Sequence, residues 1–210
     1  DGMQAAYEKR LVNEKTGKPV KYLVINLPPG FGKSYTLANF VNWCYGQNVK
    51  NKVITVSYNS TIAPEFSRTA KDMILEEETE GEESYVTRSF FPGLKVKYGD
   101  SSVMKWSLED SYTSYLATSF DGTLTGMRGN IIIIDDPIKN AEEAVNDNVK
   151  EKHWNFFKNT LSSRMLPGAL CIIVLTRWAT DDLAGRVMEK FPNQCYELKI
   201  PALTEDSPQG

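Results

Sequence analysis

"NLPPGFGKSYTL", residues 26–37, closes an apolar run and opens a helix-like one. Its Gly-Lys-Ser matches the end of a Walker A phosphate loop, G-x-x-x-x-G-K-[ST], but Leu27 stands where the first glycine belongs. Such a loop works because a strand delivers the chain to a helix N-terminus. Free amide hydrogens and the helix dipole there both favour anionic oxygens. Gly30 and Gly32 let the backbone curl close to phosphate. Lys33 brings an ammonium to the β- and γ-phosphates, and the Ser34 hydroxyl takes one Mg2+ position. Pro29, Phe31 and Tyr35 complete the candidate nucleotide-binding stretch. The missing glycine lies at the strand exit, farther from the phosphates, and Pro28 and Pro29 stiffen that turn by fixing φ. Leu27 is therefore expected to alter the angle of approach and leave the amide cradle intact.

The flanks support a strand–loop–helix reading. "KYLVINL" (21–27) reads as a buried strand, and "SYTLANFVNWCYG" (34–46) as a helix with Leu37, Phe40, Val41 and Cys44 on one stripe. "KVITVSYN" (52–59) predicts a second strand and residues 63–78 a second helix. Residues 94–120 alternate apolar and polar side chains around turn signals, as shorter strands in a hairpin would. "NIIIIDDP" (130–137) is a bare apolar strand, and residues 141–165 read as one helix stopped by "LPG". "ALCIIVLTRW" (169–178), "TDDLAGRVMEKF" (180–191) and "CYELKIPAL" (195–203) predict strand, capped helix and strand. This alternation is the signature of an α/β fold with a mostly parallel central sheet flanked by helices.

The 210 residues suit a single domain. A net charge of -3 argues against a strongly basic nucleic-acid coat, although part of it comes from the acidic run at 75–83. Lys95, Lys97 and Lys105 are scattered cations that read first as solvated surface. Three widely spaced cysteines and a single histidine, His153, write no zinc pattern; buried thiols are the plain reading. The apolar runs fall well short of the roughly 20 residues of a membrane helix, and no signal peptide is visible. A start at Asp1 and the polar close "TEDSPQG" suggest a piece of a longer protein.

Three further stretches carry chemistry. A Walker B site needs a carboxylate at a buried strand end to hold magnesium and a second to activate the attacking water. "IIIIDD" supplies Asp135 for the metal and Asp136 for the water, one methylene shorter than the glutamate common at that place. "LTRW" ends the next core strand. In an additional-strand P-loop fold that strand lies between the Walker A and Walker B strands, placing Thr176 near the γ-phosphate. Arg177 either anchors the following helix or binds phosphate, and Asp181 and Asp182 read as helix caps. Phosphoryl transfer also gains from a cation on the developing charge, often from a neighbouring subunit. Arg128, between glycines in "LTGMRGN", and Arg164, in "SSRMLPG", are the two candidates.

Taken together, "LPPGFGKS", "LTGMRGN", "IIIIDDPIK" and "LTRWATDDLAGR" resemble the ATPase domain of a tailed-phage (or prophage) terminase large subunit, from about Tyr22 to Ala202. The resemblance implies a P-loop NTPase of the additional-strand (ASCE) type that hydrolyses ATP with Mg2+ and translocates double-stranded DNA into a procapsid. Lys33 and Ser34 would bind nucleotide and metal with Asp135, Asp136 would be the catalytic carboxylate, and Thr176 would fall in the coupling motif. Arg128 matches the arginine that in the family reaches the next subunit's ATP. The partners it implies are double-stranded DNA, the portal protein, the small terminase subunit and further copies of the chain. Those copies would form a homo-oligomeric ring, a pentamer by the family's pattern, with the isolated chain a monomer. The setting would be the cytoplasm of a bacterial host, transiently at the procapsid portal. The RNase H-like nuclease domain of full-length members has no room in residues 1–210, so no DNA cleavage is expected. Two rival readings stay open: a helicase-like P-loop ATPase, and a nucleotide-dependent binding module that does not hydrolyse.

Overall fold

The structure is a computed structural model that describes residues 1–75 and 87–201, so most of the acidic run lies outside the described residues. The elements in chain order are α1 (Gly2–Tyr7), β1 (Tyr22–Asn26), α2 (Lys33–Gln47), β2 (Val53–Ser57), α3 (Ala63–Leu75) and α4 (Thr87–Phe90). There follow β3 (Lys105–Trp106), β4 (Tyr115–Ser119), β5 (Gly129–Asp135), α5 (Ala141–Val145) and α6 (Asp147–Asn155). A π-helical turn (Phe156–Leu161), α7 (Ser162–Arg164), β6 (Met165–Leu175), α8 (Leu183–Lys190) and β7 (Cys195–Lys199) complete the set.

The strands form one sheet in the order β3-β4-β2-β5-β6-β1-β7. Every neighbouring pair is parallel except β3 with β4. A parallel sheet needs helical crossovers, which cover both faces and force the inner strands to be apolar throughout. Successive side chains alternate between the two layers. Leu23, Ile25, Ile131 and Ile133 pack with Leu37, Phe40 and Val41 of α2 and with Phe66, Ala70 and Ile74 of α3. Tyr22, Val24, Ile132 and Ile134 pack with Phe157 and Leu161 on one side and Leu183, Ala184 and Val187 of α8. Ile131 to Ile134 are essentially fully buried, each contributing about 2 kcal/mol of apolar transfer. The stripe expected on α2 (Leu37, Phe40, Val41 and Cys44) is buried, and all three cysteines are free and buried. No helix among the described residues is long and apolar enough to cross a membrane.

Two expectations fail for local reasons. Residues 141–165 are not one helix: Asn146 takes extended backbone (φ -84, ψ 106), and its side chain accepts from the amides of Asn148 and Val149. An asparagine that caps the following turn ends one helix and starts the next. "LPG" is not a stop either, because β6 begins at Met165 and runs through it. Gly129 pairs with Met165 and Ile131 with Leu170, so the extra residues bulge between those two rungs. The predicted hairpin exists as the antiparallel β3–β4 pair with a Val96–Leu108 bridge, but β4 also joins β2 in parallel.

Candidate nucleotide site

Parallel strands end on a common edge, and β6 lies between β1 and β5. Ile25, Val174 and Asp135 are therefore level across three adjacent strands. Beyond β1, Leu27 extends the ladder by one amide, donating to the Leu175 carbonyl at 3.2 Å. The turn that follows has Gly30 at φ 82 and Gly32 at φ 66, the latter capping α2. Both values lie in the left-handed region that side-chain-bearing residues avoid. A Cβ at either glycine would meet nothing within 4 Å, so backbone conformation and not crowding demands glycine here. Lys33 and Ser34 then open α2. Pro29, Phe31 and Tyr35 are exposed around the turn, with Phe31 at 52%.

Five of the candidate side chains converge. The Lys33 Nζ lies 2.7 Å from Asp136 Oδ2 and donates to Thr176 Oγ1 at 3.0 Å. The Thr176 hydroxyl donates onward to the Leu27 carbonyl at 3.1 Å, and the Thr176 amide donates to Asp136 Oδ1 at 3.3 Å. Ser34 Oγ donates to Asp135 Oδ2 at 2.9 Å. Asp136 sits at φ 41, unusual for a residue with a side chain, and its amide donates to the Val174 carbonyl at 2.9 Å. Strain of that kind, of order 1 kcal/mol, persists only where the surroundings over-determine it.

Asp135 is buried, and burial pushes its carboxyl up from the ordinary 3.8 to about 6. The Ser34 hydroxyl pulls the other way, the Asp136 charge adds to the rise, and Lys33 offsets part of it. Asp135 Oδ1 is buried without a hydrogen-bond partner. An uncompensated acceptor beside a hydroxyl suits a hard cation. Mg2+ takes one or two protein oxygens and completes its shell with water and phosphate, so Ser34 and Asp135 fit it.

A folded-state value raised above the unfolded one makes the ionised carboxylate a cost to the fold, absent at acid pH and complete above about 6. Asp135→Asn is therefore expected to stabilise the metal-free protein at pH 8, by at most about 3 kcal/mol. That gain should shrink through pH 6 and vanish below 4. Urea titrations in chelator at three pH values check this; a gain that does not change with pH would contradict the burial of a charge there.

Arg128 and Arg164 do not join the cluster. Arg128 immediately precedes β5, whose seven residues end at Asp135; at ~3.3 Å per residue it stands about 20 Å away. Arg164 precedes β6 at the same far edge, and the residues that follow the two arginines, Gly129 and Met165, are register partners. Arg177 anchors the chain after β6: its Nε is 2.8 Å from Asp182 Oδ2, and its Nη2 donates to the Thr180 carbonyl at 3.0 Å. Asp182 caps α8 by accepting from the Gly185 amide at 2.8 Å, while Asp181 pairs with Lys150 at 2.6 Å. The Lys33–Asp136 pair has no signature in the sequence beyond the order of the motifs, because it depends on which strands become neighbours. The same holds for the Asn26 Nδ2–Glu197 Oε1 hydrogen bond of 2.7 Å between β1 and β7.

No family model matches this sequence, and no curated protein matches it. Among solved structures, the chain is similar to the crystal structure of the N-terminal domain of the DNA packaging ATPase from bacteriophage phi29. The TM-score is 0.53 at 12% identity, over 98% of this chain and 97% of that one. At so low an identity the likeness establishes a shared mixed α/β fold.

Proposed function

We propose that this chain is an ATPase of the additional-strand P-loop type, the motor domain of a tailed-phage or prophage terminase large subunit. It would hydrolyse ATP with Mg2+ to drive double-stranded DNA into a procapsid. The observation that carries the reading is the meeting of Lys33, Ser34, Asp135, Asp136 and Thr176 at the tips of three adjacent strands. The position of β6 between β1 and β5 fits the additional strand, and the fold shared with a phage packaging ATPase domain agrees with it.

In this reading the turn at Gly30–Gly32 cradles phosphate and Lys33 balances its charge. Ser34 and Asp135 hold Mg2+, which when bound draws charge from the phosphate oxygens. Asp136 and the γ-phosphate compete for the one Lys33 ammonium. As the phosphate takes it, Asp136 becomes free to orient a water and receive its proton. Thr176, bonded to both Lys33 and the Asp136 carboxylate, would register whether the γ-phosphate is there. Arg128 and Arg164, at the opposite edge, would act only on the nucleotide of another copy in a ring. Portal protein and the small terminase subunit would be the further partners.

Phosphate release by the purified chain, with and without linear duplex DNA, tests the proposal. Mg2+-dependent release that rises when duplex is added, without strand separation, is expected. Unwinding of the duplex would favour a helicase, and nucleotide binding without any release would leave only a binding module.

A further inference from the structure

A cleft of about 780 Å³ adjoins the phosphate turn over the ends of β6, β1 and β7. Its wall includes Pro28 and Pro29 from the turn, Trp178 from the segment after β6, and Ile200 and Pro201 after β7. From its position and lining we infer that this cleft seats the purine base and ribose of the bound nucleotide, with Trp178 as the stacking surface. The inference rests on the phosphate-binding reading of Gly30–Ser34.

Direction is the first argument. Asp135 lies two strands from β1 on one side, and β7 adjoins β1 on the other. A triphosphate laid over the turn with its γ end toward Asp135 and Asp136 would extend its α end toward β7, whose residues Glu197 and Lys199 line the cleft with Ile200 and Pro201. Continuity is the second. Pro28 and Pro29 line the cleft and lead into Gly30, and Thr176 lines it too while accepting from Lys33. The cleft and the phosphate turn are thus one surface.

Chemistry is the third argument. Trp178 is 50% exposed and Ile200 40%, and both line the cleft, so an indole face is open to a flat ligand there. Small-ligand sites are mostly apolar with a few fixed polar groups, and this volume falls within their usual range. The polar groups here are held firmly. The Glu197 carboxylate accepts from Asn26 at 2.7 Å and pairs with Lys199 at 3.2 Å, while Asn26 Oδ1 is buried without a partner. Acceptors such as Glu197 and Asn26 on the wall of an apolar cleft suit the exocyclic amine of adenine. A purine offers the larger face to an indole, which favours it over a pyrimidine.

Calorimetric titration of the whole chain with Mg–ATP, Mg–UTP and inorganic tripolyphosphate separates the two layers of the argument. Wild-type protein is expected to bind ATP at least tenfold tighter than either of the others. Trp178→Ala should weaken ATP about tenfold, leave tripolyphosphate unchanged, and keep the thermal midpoint of an exposed-site variant; Trp178→Phe should recover most of the loss. Equal ATP affinity in Trp178→Ala and wild type would overturn the base seat while the phosphate turn stands. Tripolyphosphate and ATP bound equally by wild-type protein would also overturn it. If neither ligand binds, the phosphate turn itself is wrong and the base seat falls with it.

Discussion

Asp136→Asn is expected to lower ATP turnover by about a hundredfold or more, the usual scale for losing a positioned general base, while ATP binds at least as tightly as to wild type. Two geometric facts set these opposite signs. Asp136 pairs with the Lys33 ammonium at 2.7 Å, so in the proposed site it would compete with phosphate for that cation. An amide in its place keeps the shape and the acceptor for the Thr176 amide but gives up the charge. Lys33 is then more available to phosphate, and the water loses its proton acceptor. Single-turnover phosphate release and equilibrium ATP binding on the same preparation read both quantities. Turnover within a few-fold of wild type would remove Asp136 from the chemistry. Weakened binding would mean that the pair holds Lys33 in place for phosphate instead of withholding it.

A large loss of stability is expected at Asp182, which is fully buried. Asp182→Ala should cost about 2–3 kcal/mol, combining the cap of α8 with a guanidinium left short of a partner. The ion pair with Arg177 contributes less than its 2.8 Å separation suggests. Burial holds the Asp182 carboxyl above its usual value despite the opposing pulls of the Gly185 amide and of Arg177, so the charge is a net burden and the hydrogen bond is what matters. Asp182→Asn, which retains a capping oxygen, should accordingly lose less than about 1 kcal/mol. Denaturant melts of the two variants beside wild type decide the matter. Equal losses in both would assign the stability to the charge pair and not to the cap.

The sheet was largely legible in the chain because its inner strands are covered on both faces. Runs such as "KYLVINL", "IIIIDD" and "ALCIIVL" leave little choice but buried parallel strands. Helices α2 and α8 carried their own punctuation, a glycine turn before Lys33 and an aspartate cap at Asp182. Where the reading failed, a local polar group or a long-range pairing outweighed periodicity. Asn146 breaks a stretch whose apolar spacing suits a single helix, and the strand pairing of β6 with β5 carries Pro167 and Gly168 into a bulge. At the site, residue types were readable one motif at a time, but their partners were not. Nothing in "TRW" says that Thr176 bonds Lys33 while Arg177 turns away to Asp182. The opposite-edge location of Arg128 follows only once the direction of β5 is known.

Thr176 and Arg177 are neighbours in the chain with grips on different things. One holds the lysine of the glycine turn; the other is moored to the first turn of α8 through Asp182 and to the carbonyls of Ala179 and Thr180. A tug on the threonine hydroxyl, as its lysine swings toward or away from an anion, would travel one peptide unit and then load that mooring. Under the proposed function, helix α8 would be the first element outside the cradle to feel a change at the lysine.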